Sequence, residues 1–255
     1  MLEPFLVFAF GLVIGSFCNV VIHRLPLGAS IVTPGSHCPS CKTPIRPWDN
    51  IPLVSYLLLR GHCRACKERI PLRYPAVELL SSVLYVMLWL KFGLSVPLLI
   101  YAALTSALLT VALIDYDHKI IPNTITLPGI VIGLGLSILS VLNIDVLPIT
   151  PLASLLGVLG GGVFFYLIAL VSRGGMGGGD IKLIAMIGAF LGWQGAFFTI
   201  LSGALLGSVV GVSLMVLGKK GRKDKVPFGP FLSIGAILFM LCGDELIHWY
   251  LNLLS

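Results

Sequence analysis

The chain has 255 residues, of which 57% are hydrophobic and only 11% are charged. Soluble domains contain roughly 25% charged residues, so this composition, with a mean hydropathy of +1.00, excludes an ordinary soluble enzyme. The net charge of +6 does not lie on a basic soluble face of the kind that binds nucleic acid, and no nucleic-acid partner is expected.

The apolar residues form runs that are long enough to cross a lipid bilayer, for which a helix needs about 20 mostly apolar residues. We expect about eight such helices, near residues 4–22, 76–93, 96–114, 124–142, 151–171, 181–194, 196–217 and 229–253. The pattern defines the boundary at Gly192–Gly195 least well, and an unbroken helix there would reduce the count to seven. The predicted fold class is an all-α polytopic membrane protein.

The first apolar run, 4–22, is expected to be retained as a transmembrane helix. A cleaved secretion signal has basic residues before its apolar part and a small-residue cleavage site after it, and neither is found around this run. The sequence therefore favours a first transmembrane helix (1–22), a polar loop domain (23–75) and a larger membrane domain (76–255).

The polar segment 23–75 contains four of the six cysteines, arranged as two CxxC pairs, Cys38 with Cys41 and Cys63 with Cys66. Two CxxC pairs are typical of tetrahedral zinc sites, because each CxxC turn directs two sulfurs toward one point. The 21 residues between the pairs exceed the usual spacing by one residue. A segment of this size has little core of its own and needs a metal or disulfide to stabilise it. We therefore predict a structural Zn²⁺ site with four cysteine ligands.

Other interpretations of the cysteines are open at this stage. Two disulfides, a redox-active CxxC and an iron site of the rubredoxin kind use similar residues. His37 and His62 adjoin the pairs and would be substitute ligands, although solvated loop positions are the simpler expectation. Cys18 and Cys242 lie in apolar runs, where they are expected to pack against neighbouring helices.

The lysines and arginines predict the orientation in the membrane, because these residues collect on the cytoplasmic side. If the segment 23–75 is cytoplasmic and eight helices alternate, 16 of the 17 basic residues are cytoplasmic and only Lys91 lies outside. This orientation argues against disulfides, since the cytosol is reducing.

Two aspartates are the candidate catalytic residues. Asp115 follows the third apolar run, and Asp180 precedes the sixth, behind the glycine-rich stretch 174–179. The predicted topology puts both at the cytoplasmic membrane boundary, where a carboxylate is costly and therefore indicates function. Two neighbouring carboxyl groups cannot both ionise comfortably, and such a pair supplies the acid and the base of an aspartic protease.

Structural roles for these acids are open as well. Asp180 would serve as a helix N-cap, while Asp115 and Asp117 would form a solvated turn between two membrane helices. Asp117 is the fallback for the first catalytic residue. Glu78 lies just inside the second apolar run, where it would hold a cationic group or pair with Arg73.

Several motifs, in this order, resemble those of the bacterial type IV prepilin peptidases, the prepilin leader peptidase/N-methyltransferase family. Besides the two CxxC pairs, the similar segments are GSFCNVVIHRLP (Gly15–Pro26), RPWDNIPLVSYLLLRGHCRAC (Arg46–Cys66), RYPAVELL (Arg73–Leu80), IDYDHKIIPNTITLPG (Ile114–Gly129), GGMGGGDIKL (Gly174–Leu183) and VPFGPFLSIG (Val226–Gly235). The resemblance covers nearly the whole chain. It departs from the family pattern at Asn123, where an aspartate is common.

The resemblance implies an aspartic endopeptidase of the bacterial inner membrane, with Asp115 and Asp180 as catalytic residues and the four paired cysteines as zinc ligands. It implies prepilin or type II secretion pseudopilin substrates, embedded in the lipid bilayer and cut after a glycine on the cytoplasmic side. It further implies methylation of the new N-terminal residue with S-adenosylmethionine. The sequence does not identify the residues of a methyl-donor pocket.

The main alternative function is an ion-coupled transporter that uses Asp115 and Asp180, because glycine-interrupted helices beside membrane acids are typical of transporters. A protease of the presenilin or signal-peptide-peptidase kind would also combine Tyr116-Asp117 with the GGGD sequence, and a non-enzymatic assembly factor is a third alternative. The cysteine segment and the one-sided position of both acids favour the prepilin peptidase interpretation.

Overall fold

The computed structural model describes residues 2–141, 146–171, 176–218 and 226–254, and within these ranges the secondary structure is helical. The helices are α1 (Glu3–Arg24), α2 (Val54–Leu58), α3 (Arg73–Phe92), α4 (Val96–His118), α5 (Asn123–Ser140), α6 (Pro151–Val171), α7 (Gly178–Val216) and α8 (Gly229–Leu254). Short 3₁₀ turns and two isolated β-bridges lie between α1 and α3. The predicted all-α class is confirmed, and the long helices match the predicted apolar runs within a few residues.

Six of the described helices, α1, α3, α4, α5, α6 and α7, are long and apolar enough to cross a membrane. The apolar part of α8, Gly229–Gly243, is shorter. Helix α7 has 39 residues, whereas about 20 residues are enough for a helix to cross a bilayer core. The count of eight membrane-crossing segments stays a prediction.

A backbone break at Gly192 divides α7 into two helical parts. Gly192 has φ 70° and ψ −175°, a combination that only glycine adopts readily. The break falls within the stretch where the sequence pattern left the boundary open, and the two parts correspond to the predicted runs 181–194 and 196–217. One continuous helix through this point is therefore excluded.

The chain divides into two compact units. One unit comprises Met1–Leu94 with Ala102–Thr110, and the other comprises Ser95–Tyr101 with Val111–Ser255. Helix α4 contributes to both. The three-part division at residues 22 and 75 was drawn from membrane topology and stays a prediction.

In the first unit, α1 packs along α3. Polar side chains join the helices: Asn19 donates a hydrogen bond from Nδ2 to the carbonyl oxygen of Tyr74, at 3.0 Å, and the hydroxyls of Tyr85 and Ser106 lie 2.8 Å apart. The unit also contains the polar segment with the cysteines. Hydrogen bonds within the apolar interior are favourable because no water is available to these groups.

In the second unit, α7 lies at the centre, against α5, α6 and α8. Its residues from Leu183 to Leu191 are all buried. Ser154 of α6 donates a hydrogen bond to the carbonyl oxygen of Ala189, at 2.7 Å, and so links α6 to this central helix. The start of α7 is thereby held firmly at the edge of a packed core.

Candidate active site and cysteine cluster

Asp115 lies in the last turn of α4, which continues to His118 rather than ending before the aspartate. Its side chain is buried, with 6% of its surface exposed. Oδ2 accepts a hydrogen bond from the backbone N–H of Gly229, the first residue of α8, at 2.8 Å. A buried carboxylate needs such a donor, since an unpaired charge in this position would be strongly destabilising.

Glycine is the only residue type that fits this contact at position 229 without adjustment. A Cβ atom built on Gly229 would lie 2.7 Å from Oδ2 of Asp115, closer than real Cβ contacts. The absence of a side chain therefore lets the α8 backbone reach the carboxylate. Sequence analysis noted the surrounding VPFGPFLSIG segment but did not assign Gly229 to the site.

Asp180 lies in the first turn of α7 and is half-buried. The N-cap position is Gly177 rather than Asp180, so the expectation of a plain N-cap was wrong. The backbone N–H of Asp180 donates to the Gly177 carbonyl oxygen at 3.1 Å, and the carboxylate also has a hydrogen bond with the Gly177 backbone. Asp180 thus helps to close the first turn of the helix while its carboxylate lies beside the loop.

Two contacts bring the start of α7 to the turn between α4 and α5. Gly179 lies against Ile121 and leaves no room for a side chain, because a Cβ atom on residue 179 would lie 2.8 Å from the Ile121 Cβ. Lys182 donates a hydrogen bond from Nζ to Oδ1 of Asn123, at 2.8 Å. Asn123, where the sequence departs from the family pattern, therefore takes part in fixing the two segments together.

The result of these contacts is that Asp115 and Asp180, 65 positions apart in the sequence, lie close enough for their carboxylates to interact electrostatically. Asp117, the fallback residue, is exposed at the end of the same helix. The structure thus brings together the pair of acids that the sequence indicated. Two carboxyl groups in this arrangement can share a proton and divide the roles of general base and general acid.

The four cysteines of the polar segment form one cluster. The sulfur atoms of Cys38, Cys41, Cys63 and Cys66 all lie within 4.8 Å of one another, and those of Cys38 and Cys66 are 3.8 Å apart. A zinc–sulfur bond of about 2.3 Å gives a separation of about 3.8 Å between sulfurs at the corners of a tetrahedron. The cluster could therefore hold a metal ion. All six cysteines are free thiols.

Both CxxC turns use the same backbone hydrogen bonds. In the first, the N–H of Cys38 donates to Thr43 and that of Lys42 donates to Cys38; in the second, Cys63 donates to Glu68 and Lys67 to Cys63. The sequence HCxxCKxxI begins at 37 and again at 62, a short repeat that sequence analysis missed. The repeat means that two equivalent turns face one centre.

The thiols of the cluster differ in acidity. The Thr43 hydroxyl and backbone lower the pKa of Cys41 to about 6, and the backbone groups of Cys66 and Ala65 lower the pKa of Cys63. The backbone of Glu68 lowers the pKa of Cys66, but desolvation and the neighbouring cysteines outweigh this effect and raise it to about 12. Four thiolates need a cation beside them, and a bound metal ion supplies that charge.

The remaining candidates lie outside the cluster. The Nδ1 atoms of His37 and His62 lie 3.0 and 2.7 Å from the backbone carbonyl oxygens of Gly35 and Arg60. His62 is exposed and His37 is half-buried. Cys18 is buried, as expected, whereas Cys242 is exposed on α8, contrary to the packing role predicted for it. Among the residues that the structure describes, the four paired cysteines are the only group of three or more possible ligands placed closely enough to hold a metal ion.

An ion pair ties the second CxxC turn to the segment that precedes it. Arg64 donates from Nε and Nη2 to the two carboxylate oxygens of Asp49, at 2.8 and 2.7 Å. Arg64 lowers the pKa of Asp49, and Asp49 in turn raises that of Arg64. The arginine side chain is exposed, so the role of the pair is to orient the turn rather than to contribute much stability.

Comparison with known proteins gives two family matches that together cover most of the chain. The family model described as the bacterial peptidase A24 N-terminal domain matches residues 9–92, and that of the type IV leader peptidase family matches residues 102–212. No solved structure matches the chain significantly.

Curated relatives match over nearly their full lengths. A protein of Pseudomonas putida is 38% identical, with 96% of this chain and 92% of the relative covered. A protein of Pseudomonas aeruginosa is 38% identical, covering 95% and 91%, and one of Bacillus subtilis is 34% identical, covering 97% and 98%. All three carry the name prepilin leader peptidase/N-methyltransferase.

Proposed function

The chain belongs to the type IV leader peptidase family, and from this premise we propose that it removes the leader peptide of prepilins or pseudopilins. We also propose that it methylates the new N-terminal residue with S-adenosylmethionine, as the names of its relatives suggest. The observation that carries the peptidase proposal is the pairing of Asp115 with Asp180 at the edge of the second unit.

In the proposed mechanism the two aspartates divide the work of peptide hydrolysis. One carboxylate removes a proton from a water molecule, which attacks the scissile carbonyl carbon. The other, protonated, donates to the carbonyl oxygen and afterwards to the leaving amine. The Gly229 N–H holds the Asp115 carboxylate in one orientation, which keeps the acid and the base aligned.

The glycines before Asp180 fit the approach of an extended peptide. Gly178 has no heavy atom within 4 Å of the position that a Cβ would take, so the backbone here is open on one side. Backbone without side chains allows a substrate strand to come close. We propose that the bond to be cut lies beside this first turn of α7, between the two carboxylates.

The proposed site is at the cytoplasmic face of the bacterial inner membrane. The basic residues support this position, because 16 of the 17 lie on one side of the predicted eight-helix topology. The apolar helix of the substrate would remain in the lipid and its basic leader in the cytosol. An inner-membrane location agrees with the six apolar helices.

We propose that the cysteine cluster binds Zn²⁺ in a structural role. Four sulfur ligands leave no open coordination position for substrate or water, which is the arrangement of structural rather than catalytic zinc. The metal would hold the two CxxC turns together in a segment that has few apolar contacts. The peptide-cleavage step uses carboxyl groups and needs no participation by this cluster.

The peptidase proposal is tested with purified full-length protein and a prepilin that carries its leader and first apolar helix. Wild-type protein is expected to shorten the prepilin, as seen by mass spectrometry. Asp115→Asn and Asp180→Asn are each expected to lower the cleavage rate by at least about a thousandfold, while Asp117→Asn is the matched control and cleaves normally. Cleavage at a near-normal rate by either of the first two variants would refute the assignment.

A further inference from the structure

A cavity of about 350 Å³ lies in the first unit, beside α1. One wall is the C-terminal half of α1, including Ser16, Phe17 and Arg24, and the others come from residues 31–36 and 50–52. Its volume is within the range of roughly 300–1,000 Å³ that small-molecule sites occupy. No catalytic aspartate lines it, so the peptidase mechanism does not account for it.

A positive charge is fixed at one end of the cavity. Arg24 donates hydrogen bonds from Nη1 to the Ser30 carbonyl oxygen, at 3.0 Å, and from Nη2 to the Gly35 carbonyl oxygen, at 3.3 Å. These bonds hold the loop as a wall. An arginine has five N–H donors, so the guanidinium retains donors for an anionic group of a ligand.

A carboxyl group lies behind the wall beside Ser16, which is two helical turns away from Arg24 along α1. Ser16, which lines the cavity, has a hydrogen bond with the carboxylate of Glu78. Glu78 is buried, with 8% of its surface exposed, and its Oε2 also accepts a hydrogen bond from the backbone N–H of Leu53 at 2.9 Å. Leu53 has φ 58° and ψ −48°, an unfavourable conformation that a surrounding structure must hold in place.

The rest of the cavity is suited to a flat, partly polar group. Phe17 and Val32 supply apolar surface, and Ser36 and Asn50 supply polar side chains at its edge. Aromatic and aliphatic walls with a few polar groups are the usual lining of small-molecule sites. Along α1, Ser16 and Arg24 are about 12 Å apart by helical rise, a distance that the arginine side chain and an amino-acid-sized group can bridge together.

We propose that this cavity is the binding site for S-adenosylmethionine, an inference that rests on the proposed methyltransferase function. This ligand carries a carboxylate for Arg24, a positively charged sulfonium that Glu78 attracts, and an adenine ring for the apolar wall. In the transfer, the lone pair of the substrate amine forms the N–C bond, and the C–S bond breaks with its electron pair remaining on sulfur. The amine nitrogen releases one proton.

An anionic phospholipid headgroup is the competing occupant, because Arg24 would also attract a phosphate. The buried carboxylate of Glu78 disfavours that occupant, since like charges in a poorly solvated site repel each other. A ligand with both a carboxylate and a cationic centre is complementary to Arg24 in the lining and to Glu78 behind it, and this complementarity favours the methyl donor.

Direct binding of radiolabelled S-adenosylmethionine to the purified full-length protein in detergent tests the site. Val13 lines the cavity on α1, and Val13→Trp would fill part of it. We expect Val13→Trp to weaken binding at least about tenfold, whereas Leu6→Trp, at an exposed α1 position outside the lining, binds as wild type. Prepilin cleavage should be normal in both variants and thereby report correct folding.

A second variant tests the charge. Glu78→Gln keeps the shape and the hydrogen-bonding oxygen, so binding of S-adenosylmethionine should weaken about tenfold, while that of S-adenosylhomocysteine, which has a neutral sulfur, should change less than about threefold. Equal weakening of both ligands would overturn the assignment of Glu78 to the sulfonium.

The outcomes also separate this inference from the proposed function. A wild-type protein that neither cleaves nor methylates prepilin would contradict the function itself. A wild type that does both, with Val13→Trp still binding the labelled ligand normally, would overturn the cavity assignment alone. If Val13→Trp binds normally but loses a copurifying phospholipid, detected by mass spectrometry, the cavity is a lipid site.

Discussion

The backbone N–H of Gly229 donates a hydrogen bond to Oδ2 of Asp115, 114 positions earlier in the chain, at 2.8 Å. This contact joins the first residue of α8 to the last turn of α4 and fixes one carboxylate of the candidate pair. It depends on the missing side chain at residue 229, because a Cβ would lie 2.7 Å from the same oxygen. The geometry of the site is therefore sensitive to this backbone position.

Gly229→Ala is expected to reduce prepilin cleavage at least about tenfold. The added methyl group would overlap the carboxylate at a cost of roughly 1–3 kcal/mol, and the movement of Asp115 or α8 that removes the overlap would misalign the site. Cleavage rates measured at equal protein concentration check this. Gly211→Ala is the matched control, because no heavy atom lies within 4 Å of a Cβ built there, and its rate should be unchanged. Normal cleavage by Gly229→Ala would show that the contact does not position Asp115.

The hydrogen bond from Lys182 to Asn123 leads to a different expectation, because it lies at an exposed position. Asn123→Asp should preserve the contact as an ion pair, and the cleavage rate should stay within about twofold of wild type. Asn123→Leu removes the acceptor, and the rate should fall by about threefold to tenfold as the start of α7 loosens. Cleavage assays on the two variants in parallel make the comparison, and equal rates would mean that the bond has no positioning role.

The sequence predicted the helices well because apolar runs of this length leave a membrane protein little other choice. It also predicted that Asp115 and Asp180 would meet, since topology puts both at one boundary. It could not predict the Gly229 contact, because nothing local in the VPFGPF segment indicates a partner 114 positions away. Hydropathy also left the boundary near Gly192 open, because glycines are common inside membrane helices and do not by themselves indicate a break. The positive φ of Gly192 in the structure resolves that boundary.

The cysteine cluster yields a prediction about metal content. Cys38→Ser removes one of the four sulfurs that lie within 4.8 Å of one another, so the purified variant should lose most of its bound zinc. Elemental analysis of protein purified without added metal measures this. Cys242→Ser changes an exposed cysteine outside the cluster and should retain the wild-type content. Wild-type protein with no metal, or with iron in place of zinc, would contradict the zinc assignment.

The break in α7 predicts a loss of stability when Gly192 receives a side chain. Its φ of 70° and ψ of −175° lie in a region that costs other residues about 1–3 kcal/mol, so Gly192→Ala should lower the free energy of unfolding by about that amount. Unfolding in mixed detergent micelles, followed by circular dichroism, measures the change.

Gly160→Ala is the control, because Gly160 lies within α6 and no heavy atom lies within 4 Å of a Cβ built there. Alanine there should leave stability unchanged or raise it by up to about 1 kcal/mol. Equal stability of the two variants would mean that α7 straightens through residue 192 without cost, and the two-part description of the helix would have to be abandoned.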